Sequence, residues 1–412
     1  MTSKRWIRWP AAVLAVVFLT LGPSLISAQS ISQPAQTTID ESWLSGLIGD
    51  PSIYSFDLSS DGKTVVLLAG AGSKVGDRLW LVLLDIASKR VTASQEVGSY
   101  VFRGSVEFAP QVLYAADQRH LIVQDLQTVR VFDRESLKAL RTISPPSAKG
   151  PLVPLFVLGA SDKNVLACAF GPEQESKPRF HTTAVQVAIV DISSGQVLGE
   201  WSSEDLPQSI SPQGDLIAVS SLPPRRGVLP LNVLDIHGQK VVELTGGFSF
   251  RMDAGQSGEL GRVRGIFLGG HELLLSPDEN VDKTGHHSGE SVQFVSVSGK
   301  QVQVQQKIKP ERYGATGDMA VSADRKWAAV VSRYVPAWVF TRDGALPADT
   351  VPEVLMLGRK TSLAKYAALP IDKLPGSTNG GLDNRRPRIS ADGSVIAMAH
   401  GRAITILRRN LP

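Results

Sequence analysis

The side chains of this sequence best suited to binding chemistry are arginines and aromatic residues in predicted surface loops. Guanidinium groups bind carboxylates and phosphates through paired hydrogen bonds, and exposed aromatic rings beside arginine often anchor protein interfaces. The residues predicted to bind a ligand are Arg225, Arg226, Phe248, Phe250, Arg251, Tyr334, Trp338, Phe340, Arg385 and Arg386. Solvated charges and local packing of the loops would explain the same residues, so both interpretations stay open.

A second candidate is a polar loop with two adjacent histidines, His286 and His287. Imidazole suits Zn²⁺ or Cu²⁺, and oxygen-rich loops bind Ca²⁺. The carboxylates of the same loop are those of Asp278, Glu279, Asp282 and Glu290. Because their spacing matches no recognised ligand pattern, a solvated loop is favoured and no metal site is predicted.

Catalytic signatures are scarce in this sequence. It contains no Gly-x-Ser-x-Gly elbow, no His-Glu-x-x-His and no phosphate-binding loop. Gly70-Ala71-Gly72 lies in a predicted hairpin with no helix after it, which argues against dinucleotide binding. We therefore predict no catalytic residue and no cofactor.

The elements that must position these residues are copies of one β-hairpin. Residues 185–201 form an alternating apolar strand, the turn Asp191-x-x-Ser194-Gly195 and a second strand. An Asp carboxylate accepts hydrogen bonds from nearby backbone N–H groups, and Gly tolerates a positive φ. Further copies lie at 80–91, 129–140 and 232–241, and degenerate ones at 293–302, 353–363 and 403–409. The repeated aspartates are therefore predicted to cap turns rather than to form an acidic ring.

A second turn motif, Ser-x-Asp-Gly, runs in phase with the first. Clear copies begin at Ser59, Ser211, Ser322 and Ser390, with weaker ones at 116–118, 161–163 and 269–271. The copies recur about every 55 residues, a period typical of propeller blades with four strands. The sequence predicts an all-β, seven-bladed β-propeller of four-stranded antiparallel blades over residues 37–412.

The last repeat lacks one strand, which the N-terminal segment at 37–47 is predicted to supply. That pairing would remove an open sheet edge. The second strand of most repeats is a continuous apolar run, as at 165–170. Such runs predict strands that are buried on both faces.

The two turn motifs resemble those of WD40-like and YVTN-type β-propeller repeats, including propellers of the quinoprotein amine dehydrogenase type. The resemblance covers residues 53–409, where Asp85, Asp133, Asp191 and Asp235 stand like the aspartate of the Trp-Asp dipeptide. That dipeptide and the YVTN tetrapeptide are both absent. The resemblance implies a propeller fold and no particular activity, because propellers host many functions.

Residues 1–28 have the three regions of a secretory signal peptide, and residues 29–36 are predicted to be flexible. Basic Lys4, Arg5 and Arg8 precede an apolar core at 11–21, and cleavage is predicted after Ala28 or Ser30. The core is shorter than the ~20 residues that span a bilayer, although retention as an uncleaved anchor is the alternative. We predict a secreted or periplasmic protein without stable membrane insertion after cleavage.

The net charge limits the expected binding partners, and the cysteine content limits the possible disulfides. The chain has a formal net charge of +4, three units of which belong to the leader, so nucleic acid is not a predicted partner. Cys168 is the only cysteine. An intrachain disulfide is therefore impossible, and a buried, inert thiol is predicted.

The insertions predict where binding occurs. They fall between second and third strands, at 171–181, 222–229, 277–290 and 333–350, and between blades, so they emerge on one face of the disc. Long loops on a rigid scaffold usually carry binding sites. We therefore expect a non-enzymatic scaffold that binds a protein or an extracellular polymer.

The alternative is a propeller enzyme with its site at the central channel, such as a lactonase-like hydrolase or a quinone-linked dehydrogenase subunit. It would require histidines or carboxylates on the innermost strands. Those strands carry few, chiefly Asp57 and Asp318.

Overall fold

The computed structural model describes most of the chain after residue 34. The described residues are 35–49, 51–71, 78–99, 110–125, 127–146, 152–172, 185–220, 227–228, 231–244, 249–250, 264–276, 280–281, 287–288, 292–298, 301–308, 315–333, 352–359, 363–370, 387–400 and 403–408. The predicted signal peptide lies outside them. Within these ranges, no helix has the length and apolar character that a membrane span requires.

The described chain begins with strand β1 (Ala35–Ile39) and a 3-10 helix (Glu41–Leu44), and its first three sheets follow in order. Sheet 1 contains β2 (Pro51–Leu58), β3 (Thr64–Ala71), β4 (Arg78–Asp85) and β5 (Arg90–Ser99). Sheet 2 contains β6 (Gln111–Tyr114), β7 (His120–Gln124), β8 (Val129–Asp133) and β9 (Ala139–Ile143). Sheet 3 contains β10 (Leu152–Gly159), β11 (Val165–Pro172), β12 (Val185–Asp191) and β13 (Val197–Ser203).

Sheets 4 and 5 are each accompanied by short ribbon strands. Sheet 4 contains β14 (Leu206–Ile210), β15 (Leu216–Ser220), β17 (Leu231–Asp235) and β18 (Lys240–Leu244), while β16 (Gly227–Val228) pairs with β19 (Ser249–Phe250). Sheet 5 contains β20 (Arg264–Gly269), β21 (Glu272–Ser276), β24 (Val292–Ser298) and β25 (Gln301–Ile308), while β22 (Asn280–Val281) pairs with β23 (His287–Ser288).

Sheet 6 contains β26 (Ala315–Val321), β27 (Trp327–Arg333), β28 (Pro352–Arg359) and β29 (Leu363–Pro370). Sheet 7 contains β30 (Arg388–Ile389), β31 (Val395–His400), β32 (Ala403–Arg408) and, as its outer strand, β1. The first strands of the sheets contact one another in the cyclic order β2, β6, β10, β14, β20, β26, β30 and back to β2. The predicted all-β fold with a propeller arrangement of small antiparallel sheets is confirmed.

The N-terminal segment joins the last sheet over a shorter stretch than predicted. β1 pairs antiparallel with β32, with Ile39 opposite Ile404. The strand then ends because the Asp40 carboxylate accepts the Ser42 N–H at 2.9 Å and caps the 3-10 helix. Residues 41–47, predicted as strand, are therefore not part of the sheet, and the pairing starts at Ala35 rather than at residue 37.

Sheets 1 to 5 each pack on both neighbours through a second strand that is apolar on both faces. In β3, Val65 and Leu67 share a cluster with sheet 7, whereas Val66 and Leu68 share one with sheet 2. All four side chains are fully buried, and burying each contributes about 1.5–3 kcal/mol. The predicted two-sided burial is confirmed here, and a single sheet could not achieve it alone.

Cys168 lies in the second strand of sheet 3 and faces sheet 2. It is a free, buried cysteine, and burial raises the pKa of its thiol far above the ordinary value. The predicted burial of this thiol is confirmed.

The outer turns of sheets 1, 2 and 3 are capped by aspartate, as predicted. The Asp191 carboxylate accepts both the N–H of Ser194 at 2.6 Å and its hydroxyl at 2.8 Å. The same two bonds join Ser88 to Asp85 and Ser136 to Asp133. Hydroxyl donors lower the pKa of Asp85 and Asp133, and the Ser194 backbone N–H lowers that of Asp191.

The inner turns rest on a buried serine. The Ser390 hydroxyl donates to Asp392 at 2.7 Å and accepts the N–H of Val395 at 2.9 Å. Ser59 and Ser322 make the equivalent bonds. In the copy at Ser211, the acceptor is Asp215 rather than a residue two positions on. One hydroxyl thus ties the first strand of a sheet to the second.

Glycine completes these turns for two reasons. Gly62 and Gly393 have φ of +65° and +76°, a region that L side chains rarely adopt. A Cβ at Gly62 would also lie 2.6 Å from Val395, and one at Gly393 would lie 2.4 Å from Trp327. Both obstacles belong to the preceding sheet, so the glycines let neighbouring sheets approach closely.

A chain of hydrogen bonds links the inner turns of six sheets. Each bond runs from a backbone N–H of one turn to an oxygen of the next: Asp324 to Ala391, Ala391 to Ser60, Ser60 to Gln118, Asp117 to Asn164 and Asp162 to Pro212. The linked turns belong to sheets 6, 7, 1, 2, 3 and 4. Polar contacts at the turns therefore add to the apolar packing between sheets.

We expect the outer-turn aspartates to make the fold sensitive to acid. Their folded-state pKa values lie below the ordinary aspartate value of about 3.9, so the stability they contribute is complete above that pH. It is lost as the pH falls through the lowered values, because protonation breaks the carboxylate hydrogen bonds. Urea unfolding at pH 7 and pH 3 measures this loss.

The variant Asp85→Asn/Asp133→Asn/Asp191→Asn keeps an acceptor oxygen that does not titrate. It should lose less stability than the wild type between the two pH values. A control, Glu200→Gln/Glu204→Gln, removes exposed carboxylates and should retain the wild-type loss. Equal losses in the triple variant and the wild type would contradict this role of the turns.

Candidate functional site

Most residues predicted to bind a ligand lie outside the described residues. They are Arg225, Arg226, Phe248, Arg251, Tyr334, Trp338, Phe340, Arg385 and Arg386. The backbone of Phe250 lies in β19. In the histidine loop, His287 is the first residue of β23. The other metal-ligand candidates of that loop lie outside the described residues: Asp278, Glu279, Asp282, His286 and Glu290.

The strands β16 and β19 pair with each other, and predicted ligand-binding arginines are next to both strands in the sequence. Gly227 lies opposite Phe250. Arg226 directly precedes Gly227 in the sequence, and Arg251 directly follows Phe250. β16 lies in the connection between the second and third strands of sheet 4, and β19 lies in the connection to sheet 5. The structure therefore joins the two kinds of connection in which the predicted arginines occur.

A central cavity of about 230 Å³ lies among the first strands of six sheets. Its lining includes Ser161, Pro212, Ser322 and Arg325 from the inner turns. The cavity therefore reaches the tight-turn end of the sheets. Sequence reasoning had placed its enzyme alternative in the channel without locating a cavity.

Arg388 lines the cavity and joins sheet 7 to sheet 1. Its Nε lies 2.9 Å from Asp57 Oδ1, and its guanidinium lies 5.6 Å from the centre of the Phe56 ring. Burial raises the pKa of Asp57, opposed by Arg388 and by backbone N–H groups such as that of Tyr114 at 2.7 Å. The pair is a buried ion pair that is embedded in hydrogen bonds.

Arg325 departs from the turn motif, since it stands where the other clear copies have glycine. Its φ is +60°, which costs a non-glycine residue about 1 kcal/mol. Its guanidinium pairs with Asp162 in the inner turn of sheet 3, which also accepts a bond from Gln213 at 3.0 Å. Because sheets 6 and 3 are not adjacent, this contact crosses the end of the channel.

Gln118 is a second residue that stands at the glycine position of an inner turn. It has a φ of +59° at the same turn position in sheet 2, and its side chain accepts the Ser60 N–H of sheet 1 at 2.8 Å. At both sites a strained backbone is accompanied by a side chain that links two sheets. Sequence reasoning missed Arg325, and the signal that could have found it is an arginine in place of the turn glycine.

Further polar groups complete the lining. Ser209 is 8% exposed, and its hydroxyl has no hydrogen-bond partner among the described residues. Arg325 Nε is also buried without such a partner in the described part of the chain. Gln111 accepts the Val157 N–H at 3.0 Å. The cavity therefore presents unmatched hydrogen-bond donors between apolar walls.

The ionisable side chains at the cavity are arginines and the aspartates that pair with them. The described lining has no histidine, cysteine or carboxylate, and the nearby Asp57 and Asp162 are each paired with arginine. The described residues contain no group of three or more side chains arranged to hold a metal ion. The side chain of Asp318 lies outside the described part.

His120 belongs to a network that sequence reasoning missed. Its Nδ1 lies 2.6 Å from Asp117 Oδ2, which also accepts a bond from Asn164 in sheet 3 at 2.6 Å. The network joins the inner turns of sheets 2 and 3, so its role in the described structure is to link sheets.

Comparison with known proteins gives a structural likeness alone. No family model and no curated protein sequence matches this chain. Among solved structures, the chain is similar to Kuenenia stuttgartiensis hydrazine synthase, with a TM-score of 0.52 and 15% sequence identity over 88% of this chain and 96% of that one. This likeness shows the fold. The WD40-like and YVTN-type resemblance is supported only as far as a β-propeller.

We expect Asp57 and Arg388 to be strongly coupled in stability. Asp57→Ala leaves a buried guanidinium unpaired and should cost about 3–5 kcal/mol, and Arg388→Met should cost a similar amount. The double variant should be less destabilised than the sum of the two, because neither charge is left alone. Urea titration of the wild type, the two single variants and the double variant gives the unfolding free energies of a double-mutant cycle. Additive costs would show that the pair is not coupled.

Proposed function

We propose that this protein is an exported, seven-bladed β-propeller that acts as a non-enzymatic binding scaffold. Its ligand is a protein or an extracellular polymer that carries carboxylate or phosphate groups. The observation that carries the proposal is the β16–β19 pairing, which joins two inserted connections next to three of the predicted arginines. Guanidinium groups suit bidentate binding of anionic groups.

Three further features support the proposal. The described four-stranded sheets and the cyclic contacts of their first strands support the idea of a rigid base for loops. The signal-peptide pattern of residues 1–30 supports export to the periplasm or the medium. The cavity lining offers hydrogen-bond donors rather than a general acid or base, which favours binding over the channel-enzyme alternative.

The test compares two triple variants with the same change in charge. Arg225→Ala/Arg226→Ala/Arg251→Ala removes the predicted arginines, and Lys63→Ala/Arg90→Ala/Lys138→Ala removes three exposed cations elsewhere. Immobilised polygalacturonate serves as the polymer probe, alongside proteins of the exported fraction. We expect the arginine variant to lose at least about tenfold in retention, since interface arginines often dominate binding, while the control binds like the wild type.

Retention of the arginine variant at the wild-type level on both probes would refute the proposed face. An equal loss in both variants would show that net charge, and not this face, is responsible. Circular dichroism and urea midpoints confirm that each variant is folded before its binding is compared.

A further inference from the structure

We propose that the central cavity binds a small organic monocarboxylate. This site is separate from the arginine face of the proposed function and does not depend on it. The starting observation is that two buried polar groups of the lining, Ser209 Oγ and Arg325 Nε, have no hydrogen-bond partner among the described residues. Buried polar groups in native proteins are nearly always satisfied, so an unmatched pair in one cavity indicates a ligand with acceptor atoms.

The unmatched groups define the chemistry of that ligand. A guanidinium Nε–H can only donate, and a serine hydroxyl can donate as well. Asp162 contacts the terminal nitrogen of Arg325 and leaves Nε available. A carboxylate supplies two acceptor oxygens and is the group that arginine binds most readily.

The nearby charges favour one negative charge over two. Arg325 and Arg388 are each balanced by an aspartate, Asp162 and Asp57. A dianion such as phosphate would face both of these carboxylates with no surplus cation. A monocarboxylate can hydrogen-bond to the donors with less repulsion.

The volume and the apolar walls of the cavity indicate the size and the polarity of the rest of the ligand. The cavity volume of about 230 Å³ equals that of roughly eight water molecules at ~30 Å³ each, which suits a molecule of about ten non-hydrogen atoms. Leu113, Ile266 and Val321 form part of an apolar wall. A short aliphatic or aromatic acid therefore fits better than a sugar or a nucleotide.

Benzoate is a suitable probe, with benzamide and inorganic phosphate as comparisons. Isothermal titration of the exported protein at neutral pH should give saturable benzoate binding with a Kd on the order of 1 mM, as expected for so small a ligand. Benzamide and phosphate should bind at least about tenfold more weakly. No saturation by benzoate up to about 20 mM, or equal binding of benzamide, would overturn the proposal.

The variants test the named donors. Arg325→Gly restores the glycine of the turn motif and should weaken benzoate binding at least about tenfold, and Ser209→Ala should weaken it about threefold to tenfold. Gln118→Gly is the matched control, because it relieves the same backbone strain at a turn position outside the lining. It should leave the affinity unchanged.

Unchanged affinity in both Arg325→Gly and Ser209→Ala would overturn the assignment of the site. The Arg225→Ala/Arg226→Ala/Arg251→Ala variant should bind benzoate like the wild type, and Arg325→Gly should retain polygalacturonate like the wild type. These two crossed measurements separate a failure of this inference from a failure of the proposed function.

Discussion

The antiparallel pairing of β1 with β32 is the constraint on which the rest of the structure depends. The sheets expose apolar side chains on both faces of their second strands, so each must pack between two neighbours. Ile39 of β1 joins Ile404 and Ile406 in the cluster that also holds Val65 and Leu67 of sheet 1. The N-terminal strand therefore completes the last sheet and contributes to the contact that closes the cycle of sheets. An unpaired β32 would leave a sheet edge open to association with other chains.

The inner turns hold neighbouring sheets at a fixed spacing, so that their first strands surround the central cavity. A buried serine joins the first two strands of a sheet, and glycine allows the preceding sheet to approach. Where glycine is replaced, the side chain is used elsewhere: Gln118 reaches sheet 1 and Arg325 reaches sheet 3. The same turn thus sets both the spacing of the sheets and the polar groups at the end of the channel. Stability and the candidate ligand chemistry have a common origin in these residues.

Local patterns in the sequence predicted the repeated parts of the fold. Alternating apolar residues and the Asp–Ser and Ser–Asp spacings act within a few residues, so they specify strands and turns such as β12, β13 and the cap at Asp191. The end of β1 was not predicted, because the Asp40 cap competes with continued pairing over only three residues. In the turn at Ser211, position 213 is glutamine and the acceptor is Asp215, which lies outside the Ser-x-Asp-Gly spacing.

Contacts between distant parts of the chain could not be derived from those patterns. The ion pair of Arg325 with Asp162 spans 163 positions, and Asp57 meets Arg388 from the other end of the chain. Both depend on the order in which sheets close around the channel. The unmatched Ser209 hydroxyl likewise becomes visible only when six first strands are brought together, whereas the loop arginines were apparent from their residue types alone.

Hydrogen–deuterium exchange at β1 tests the closure most directly. If the N-terminal strand completes the last sheet, amides of Ala35–Ile39 should exchange slowly and open together with those of β31 and β32, with the same dependence on urea. Exchange of Ala35–Ile39 at the rate of an unfolded chain, while β31 and β32 remain protected, would contradict the account.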